Sequence, residues 1–576
     1  MLYHLLLYSL LALEGLACDD CYGRGAQHVR LAKRVQPDAQ SAIAAPRAPL
    51  EWGQLNVLHT TDTHGWLEGH IKEQNYGADW GDFVSFSRHM KHKAGNLGVD
   101  LLLVDTGDLH DGNGLSDASS PNGAISNVIF ENVDYDLLTI GNHELYVTDI
   151  AYETFNQFSK VYGERYVTSN VQIINPATGA FEHVGSKYRY FTTAHGLRIM
   201  AFGVLFDFKG NSNVSKVIKA ADLVQENWFT EAISSSRPID LFMVIGHNPV
   251  RSTASSSTIG TIYRAIRAAR PNIPIQAFGG HTHIRDFTVY DAMSTGLESG
   301  RYCETLGFFS MSGIKSSTFH GNVKPRGVPN PSTPAVVRSN NTGTPAKSPF
   351  DTTPLYSRRY LDWNRLTFEY HATGSQDATF DYHSGVRVSQ EITSERQKLN
   401  LTTLYGCAPQ TWCQFCKPFG DEGNIASLLE VALAATVINK TRADIPRLII
   451  INTGSIRFDL VKGPFTYDDS FIVSPFKDAF QYIPDVRYEI ASKVLGVLNA
   501  GPFQKKRDLE SRDFGFQPLT GDTCVDGVIF QDRDSLKARS TPMTRGMHRR
   551  QGPALTPGYV TTGTPPLAFP FKFESH

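Results

Sequence analysis

Residues 101–113 read LLLVDTGDLHDGN, and the pattern of this segment recurs along the first half of the chain. Its first four residues are apolar, and the mostly polar segment after them contains two glycines. A short apolar run bounded by glycine is typical of a buried strand followed by a sharp turn. The segment therefore predicts a strand that ends just before Asp108, at the edge where α/β proteins usually bind ligands.

Four further segments repeat this arrangement on both sides of residues 101–113. They read NVLHTTDTH (56–64), YDLLTIGNHE (135–144), LFMVIGHNP (241–249) and IQAFGGHTH (275–283). Intervening residues 81–93 and 261–270 have the spacing of helices. The alternation predicts a layered α/β domain whose polar residues gather at strand ends.

The polar residues after these five strands predict a metal site. Imidazole nitrogens together with carboxylate and amide oxygens suit Zn²⁺, Mn²⁺ or Fe. The candidate ligands are Asp62, His64, Asp108, Asn142, His247, His281 and His283. Other polar residues nearby have a simpler reading as packed, surface or turn residues. We interpret His59, His70, His110 and His195 as packed or surface residues, and Asp111 as a turn or supporting residue and not a ligand.

The motifs D-x-H, G-D, G-N-H-E, G-H and G-H-x-H occur here in that order over residues 55–312. In residues and order they resemble the calcineurin-like metallophosphoesterases. The resemblance implies a four-layer α/β/β/α sandwich and two divalent metal ions. One ion would be held by Asp62, His64 and His283, and the other by Asn142, His247 and His281. Asp108 would bridge both ions.

This resemblance also implies a reaction, the hydrolysis of a phosphoric ester. Two cations about 4 Å apart polarise a phosphoryl oxygen and lower the pKa of a nearby water. His143 would stay free of metal and face the substrate, where it could stabilise the charge of the transition state or protonate the leaving oxygen.

Residues 452–457 (NTGSIR), then Gly463 and Pro475-Phe476, resemble the C-terminal domain of the 5′-nucleotidases over about residues 400–500. In that family the domain holds the nucleoside. The resemblance implies that the substrate is bound by Arg457, Phe476 and Asn452. A core aromatic and a surface ion pair are the alternative reading.

Three residues depart from the 5′-nucleotidase pattern. Tyr146 stands where the family places an aspartate that orients the catalytic histidine, which predicts a His143 without its usual carboxylate. Tyr146 could form that hydrogen bond instead. Asp478 replaces an asparagine after Pro-Phe, and Lys417 lies where an arginine is expected. Lys417 cannot reproduce a bidentate arginine.

The organisation along the chain follows from these motifs. We expect a signal peptide (1–17), a leader (18–50), a metallophosphoesterase domain (51–372) with an insertion at about 315–358, a connector helix (373–399), a 5′-nucleotidase-like C-terminal domain (400–500) and an irregular tail (501–576). Residues 360–370 (YLDWNRLTFEY) alternate like a strand. Residues 425–438 predict a helix, and residues 447–452 predict a buried strand.

The first 17 residues predict entry into the secretory pathway. They are mostly apolar and end in Gly15-Leu16-Ala17, which fits a signal-peptide cleavage site. A short membrane anchor is the alternative, although the run is shorter than the ~20 residues of a span. Glycosylation sequons occur at Asn213, Asn340, Asn400 and Asn439. We expect a glycoprotein of the extracellular space or the vacuolar lumen, without a transmembrane span.

Three of the seven cysteines lie close together, at Cys407, Cys413 and Cys416. A CxxC pair can bind zinc or do redox chemistry, but no second pair completes a zinc site. After a signal peptide, a local disulfide is the favoured interpretation.

The composition narrows the class of substrate. The chain of 576 residues has a formal net charge of −2, which gives no general attraction to nucleic acid polymers. The resemblance to the 5′-nucleotidases implies a phosphomonoesterase acting on nucleotides or similar small phosphates. The alternatives are a phosphodiesterase or nucleotide-sugar diphosphatase on the same site, and a non-catalytic nucleotide-binding protein.

Overall fold

The computed structural model describes residues 36–37, 39–43, 46, 48–332, 354–374, 379–437, 441, 444–476, 480–499 and 570–573. The expected signal peptide, most of the leader and most of the tail lie outside these residues. So do Asn340, Asn439 and Asp478. In the part of the chain that is described, no helix is long and apolar enough to cross a bilayer.

Five strands form the first of two large sheets. Their order across the sheet is Leu355–Asp362, Thr305–Ser312, Leu55–Thr60, Asp100–Asp105 and Leu137–Leu138. The last three are parallel to one another, so their carboxyl ends meet at one edge. The first three motifs of the sequence follow these three strands.

The second sheet has six strands, and it brings the remaining two motifs to the same place. Their order is Arg285–Asp291, Ser294–Ser299, Ile275–Gly279, Leu241–Ile245, Arg198–Gly203 and Arg189–Thr192. The four central strands are parallel. Apolar side chains from both sheets form the buried layer between them, among them Val57, Val104, Ile199 and Met243.

Helices cover the outer face of each sheet. The helix Trp80–Leu97 begins at a capping box between Asp79 and Asp82, and its Phe83 and Phe86 pack against the first sheet. The helix Ile259–Ala269 packs Ile262 and Ile266 against the second sheet. The four-layer α/β/β/α sandwich is therefore confirmed.

Shorter elements complete the N-terminal domain. They are the helices Gly114–Asp117, Ser126–Phe130, Thr148–Glu153, Ser159–Tyr162, Ala220–Leu223, Asn227–Ser234, Arg365–Thr373 and His383–Lys398, and the small sheet Phe181–His183, Val171–Ile174 and Ser215–Val217. Most of these helices lie in the connections between strands. The last two helices pack against Trp80–Leu97 on the outer face of the first sheet.

The prediction of one strand over residues 360–370 is wrong in its second half. The strand ends at Asp362, and a helix runs from Arg365 to Thr373. Asn364 starts this helix, because its side chain accepts a hydrogen bond from the Thr367 amide. An ion pair one helical turn apart, between Arg365 and Glu369, supports it. The alternation of apolar residues did not reveal this cap.

The C-terminal domain is smaller and also mixes helices with strands. The helices are Ile425–Thr436, Tyr467–Val473 and Tyr488–Asn499. The strand Leu404–Ala408 pairs with Gly463–Thr466, and a second sheet has the order Leu448–Ile450, Pro570–Phe573 and Phe480–Tyr482. Pro570–Phe573 belongs to the segment expected to be an irregular tail, and it forms the middle strand of that sheet.

The helix His383–Lys398 links the two domains through buried charges. Its Arg396 lies 2.7 Å from the Glu68 carboxylate and 3.7 Å from that of Asp468. Asp468 accepts a hydrogen bond of 3.0 Å from the Gly114 amide, in the loop region after Asp108. Burial and the neighbouring Glu68 raise the pKa of Asp468 well above its usual value. The C-terminal domain is thereby fastened next to the polar edge of the first sheet.

Candidate active site

Asp108 occupies the centre of the polar edge. Its Oδ1 accepts a hydrogen bond of 2.9 Å from the His143 amide. Its Oδ2 lies 2.9 Å from His247 Nε2 and 3.8 Å from His64 Nε2. One oxygen of Asp108 therefore faces histidines from both sides, as a bridging carboxylate would.

The first group of candidate ligands consists of Asp62, His64 and His283, whose ligand atoms lie within 4.8 Å of one another. His283 Nε2 is 3.2 Å from Asp62 Oδ1 and 3.2 Å from His64 Nε2. His64 Nδ1 donates to the His110 carbonyl at 2.5 Å. This bond fixes the imidazole so that Nε2 faces the group.

The second group consists of Asp108, His247 and His281. His247 Nδ1 donates to the Thr106 carbonyl at 2.9 Å, which again turns Nε2 toward the group. The His281 ring stacks on Phe206, with ring centroids 4.2 Å apart. The first and second groups contain six of the seven metal ligands inferred from the sequence.

These residues fit divalent cations. Asn142 Oδ1 is buried and finds no hydrogen-bond partner among the described residues. Buried polar atoms are costly without a partner, and a cation would supply one. Burial lowers the pKa of His281 to about 3 and that of His283 to about 4, so both imidazoles are neutral and able to ligate.

Glu144 holds the two central turns together, a role that the sequence interpretation missed. Its carboxylate accepts hydrogen bonds from the amides of Asp108 (3.1 Å), Leu109 (2.6 Å) and Gly141 (2.7 Å). A Cβ at Gly141 would lie 2.1 Å from Asp108 Oδ1, so only glycine fits there. Gly141 and Glu144 of the G-N-H-E segment are thus required here for a steric and a hydrogen-bonding reason.

The expectation that His143 lacks a carboxylate partner is wrong. His143 Nδ1 lies 2.5 Å from Asp111 Oδ2. Asp111 comes from the GDLHDGN segment, where we interpreted it as a turn or supporting residue. It supplies the contact that the family's aspartate at position 146 would have made.

The Asp111 carboxylate is held on both sides. Asn122 Nδ2 donates to its Oδ1 at 3.1 Å, and Asp117 accepts the Asp111 amide at 3.0 Å. Burial alone would raise the pKa of Asp111, but the hydrogen bond from His143 and the nearby charges of His110 and Arg457 lower it below its usual value. Asp111 is therefore an anion that orients the His143 ring and favours a proton on Nδ1.

Tyr146 has a different partner from the one expected. Its hydroxyl accepts a hydrogen bond of 3.0 Å from Asn142 Nδ2, and no bond joins it to the His143 nitrogens. The ring stands edge-on to His143 at 4.9 Å and to Phe208 at 5.3 Å.

Arg457 extends from the C-terminal domain to the metal ligands. Its Nη2 lies 3.1 Å from His64 Nδ1, and its Nε donates to the Asp111 carbonyl at 3.2 Å. The Phe476 ring centroid is 5.7 Å from the Arg457 guanidinium carbon. Asn452 is exposed, and its Oδ1 accepts from the Gly454 amide, so it caps the turn before Arg457.

The predicted local disulfide is confirmed between Cys413 and Cys416, which removes these thiols from any zinc site. Gln414, inside the disulfide loop, donates its amide to Asp459 Oδ1 at 2.7 Å and its side chain to the Ile456 carbonyl. The loop therefore supports the segment that carries Arg457.

The backbone of the site adopts an unusual conformation. Six of its residues other than glycine have a positive φ: Asp62 (50°), His64 (46°), Asp108 (61°), Asp111 (66°), His281 (80°) and His283 (63°). This region costs about 1–3 kcal/mol per residue and tends to mark functional sites. The surrounding fold holds the ligand set in place.

Comparison with known proteins agrees with this geometry. The sequence profile of the calcineurin-like phosphoesterases matches residues 55–285, and that of the NAD nucleotidase C-terminal domain matches residues 411–565. A 5′-nucleotidase of known structure from Candida albicans is 40% identical, with 80% of this chain and 79% of that chain covered and a TM-score of 0.69. The chain belongs to the calcineurin-like phosphoesterases in their two-domain 5′-nucleotidase form, and it is a hydrolase.

Among individual proteins, this chain is 58% identical over 558 residues to one from Arthroderma benhamiae named "Secreted protein", covering 96% of this chain and 83% of the relative. A 5′-nucleotidase precursor from Thermus thermophilus is 14% identical, with a TM-score of 0.53 and coverage of 79% and 80%. The second likeness concerns the fold alone.

Replacing Asp111 by Asn should lower kcat by about 10–100-fold and leave the metal content unchanged, because Asp111 acts on His143 and on no ligand. The measurements are steady-state phosphate release and elemental analysis of the purified chain. Asp222→Asn, at an exposed helix position, is the matched control. In a His143→Ala background, Asp111→Asn should not lower kcat any further. A near-normal kcat for the single variant would contradict the assignment.

Proposed function

We propose that this chain is a two-metal phosphomonoesterase that hydrolyses nucleotides or related small phosphates. The observation that carries the proposal is the convergence of both candidate ligand groups on Asp108 Oδ2, with His143 and Arg457 next to them. Two cations held by these groups would supply Lewis acidity and a water of lowered pKa.

The residues of the chain have separate roles in this proposal. Asp62, His64 and His283 hold one cation, and Asn142, His247 and His281 hold the other, with Asp108 shared. His143 donates a proton from Nε2 to the leaving oxygen. The Asp111 carboxylate accepts the hydrogen bond from Nδ1 and so keeps the second proton on that nitrogen. Arg457 binds a phosphoryl oxygen and balances the charge that develops there.

A non-catalytic binding protein is the weaker alternative, which the departures at Tyr146 and Asp478 favour. The contact between Asp111 and His143 removes the argument from Tyr146. Hydrolysis of a diphosphate linkage is the stronger second candidate. The similarity of residues 411–565 to the C-terminal domain of NAD nucleotidases favours it.

A panel of substrates tests the proposal. Phosphate release from AMP, NAD, UDP-glucose, a cyclic nucleotide and an aryl phosphate is measured before and after chelation and after addition of Zn²⁺ or Mn²⁺. We expect AMP to be hydrolysed and the activity to return with metal. Preferred cleavage of NAD or UDP-glucose would select the diphosphatase. No metal-dependent turnover of any substrate would reject an enzyme.

Arg457→Ala should reduce kcat/KM for AMP by about 10–100-fold, the usual worth of a hydrogen bond to a charged group. The loss should fall mainly on KM if Arg457 binds the ground state as well as the transition state. Arg487→Ala, on an exposed part of the same domain, should behave like the wild type. Equal kinetics for both variants would remove Arg457 from the substrate site.

We also propose passage through the secretory pathway to the extracellular space or vacuolar lumen. The predicted signal peptide, the disulfide and the name of the Arthroderma relative support this location. The sequons at Asn213 and Asn400 are exposed and could carry glycans. Mass analysis of the protein isolated from its native source should find glycans and no residues 1–17. An unglycosylated chain that retains this segment would contradict the location.

A further inference from the structure

Tyr146 is one of the three departures from the 5′-nucleotidase pattern, and it lies next to the candidate metal site. It follows Asn142 by four positions across the short turn His143–Leu145, so both side chains lie on one face. Asn142 Nδ2 donates to the Tyr146 hydroxyl at 3.0 Å. The amide is therefore tethered through its nitrogen.

The other end of this amide is unsatisfied. Asn142 Oδ1 is buried and has no hydrogen-bond partner among the described residues. An amide offers one accepting oxygen and one donating nitrogen, and only the oxygen can bind a cation. With the nitrogen engaged by Tyr146, the oxygen is the atom that remains for a ligand.

The Tyr146 ring is itself restrained. It packs edge-on between His143, at 4.9 Å, and Phe208, at 5.3 Å, and Phe208 in turn contacts Phe206 at 5.5 Å. Phe206 stacks on His281, another candidate ligand of the same cation. The hydroxyl is thus fixed by a continuous row of aromatic rings and not by a flexible side chain.

We propose that Tyr146 is a positioning residue that orients the Asn142 amide so that Oδ1 ligates the second divalent cation. Asp111 has taken over the contact to His143, which leaves position 146 available for this role. The proposal rests on the metal-dependent function proposed above and deepens it. Tyr146 orients a ligand of the metal site, whereas Asp111 orients His143, the proposed proton donor.

Tyr146→Phe is the direct test, because it removes only the hydroxyl and keeps the ring. Metal-free full-length protein is titrated with Zn²⁺ or Mn²⁺ by calorimetry, and bound metal is counted by elemental analysis. The wild type should bind two ions. The variant should bind one ion normally and the second about 10–100-fold more weakly, the usual effect of losing a residue that supports a metal ligand.

A double-mutant cycle separates orientation from other effects. Asn142→Asp replaces the amide by a carboxylate, either of whose oxygens can ligate, so orientation no longer matters. Adding Tyr146→Phe to Asn142→Asp should not weaken the second site further. Phe208→Leu, which retains the hydroxyl, should have a smaller effect than Tyr146→Phe.

The outcomes distinguish this proposal from the proposed function. Unchanged binding of both ions by Tyr146→Phe would overturn the positioning role alone. An equal loss in the Asn142→Asp background would also overturn it. If the wild type binds fewer than two ions, the two-metal function and the positioning role both fail. If Tyr146→Phe binds the second ion more weakly but the wild type cleaves no phosphate ester, the positioning role is supported and the proposed activity is rejected.

Discussion

Replacing Asp108 by Asn should remove bound metal and abolish phosphate release. Asp108 Oδ2 faces histidines of both candidate ligand groups, so in the proposed two-metal site its charge would serve both cations. A neutral amide would leave two cations close together without a compensating anion. The loss of metal catalysis is worth several kcal/mol, which corresponds to a rate reduction on the order of 10³-fold or more.

Elemental analysis and phosphate release from AMP, measured on the same sample, check this expectation. Asp240→Asn is a suitable control, because Asp240 is a buried carboxylate that pairs with Arg198 in the second sheet. The control should lower thermal stability and leave the metal content intact. An Asp108→Asn variant that retains two metals and near-normal turnover would refute the bridging assignment.

His143→Ala should keep both metals and lose about 10²–10⁴-fold in rate, the usual contribution of a positioned acid. The loss should fall mainly on kcat, because the proton is transferred in the transition state. It should be smaller for an aryl phosphate, whose leaving group needs little protonation. Comparing AMP with an aryl phosphate in wild type and variant measures this difference.

The geometry also defines the competing result. His143 falls within one group of possible ligands together with His64 and Asp108, and its Nε2 is 3.8 Å from Asp108 Oδ2. Loss of metal from His143→Ala would identify it as a ligand. Unchanged turnover of an alkyl phosphate would show that another residue is the acid.

The five strands before the motifs were predictable, because each is a short, mostly apolar buried run that is followed by a polar segment. All five occur in the structure, and they bring together the groups that carry the ligands. The helix Arg365–Thr373 was missed because its signal is a single cap at Asn364 within an alternating sequence. The spacing of apolar residues therefore predicts buried strands more reliably than it predicts where a helix begins.

The partner of His143 could not be read from the sequence. Asp111 and His143 are 32 positions apart and lie in turns after different strands. Their contact depends on how Glu144 and Asp117 fix the two turns, which no pattern within either segment reveals. The contact between Arg457 and His64, which are 393 positions apart, could not be read from the sequence either. It depends on the contact between Arg396 and Asp468, which holds the two domains together. The motifs predicted which candidate ligands would lie together, and only the fold supplied the residues that orient them.

The left-handed backbone of the site bears on any attempt to engineer this protein for heat resistance. Glycine would relieve the strain at positions such as His281 and His283, although part of the gain would be offset by greater freedom of the unfolded chain. Selection for melting temperature alone would therefore favour substitutions that remove residues needed for activity. A screen of variants of this protein should score turnover together with melting temperature from its first round.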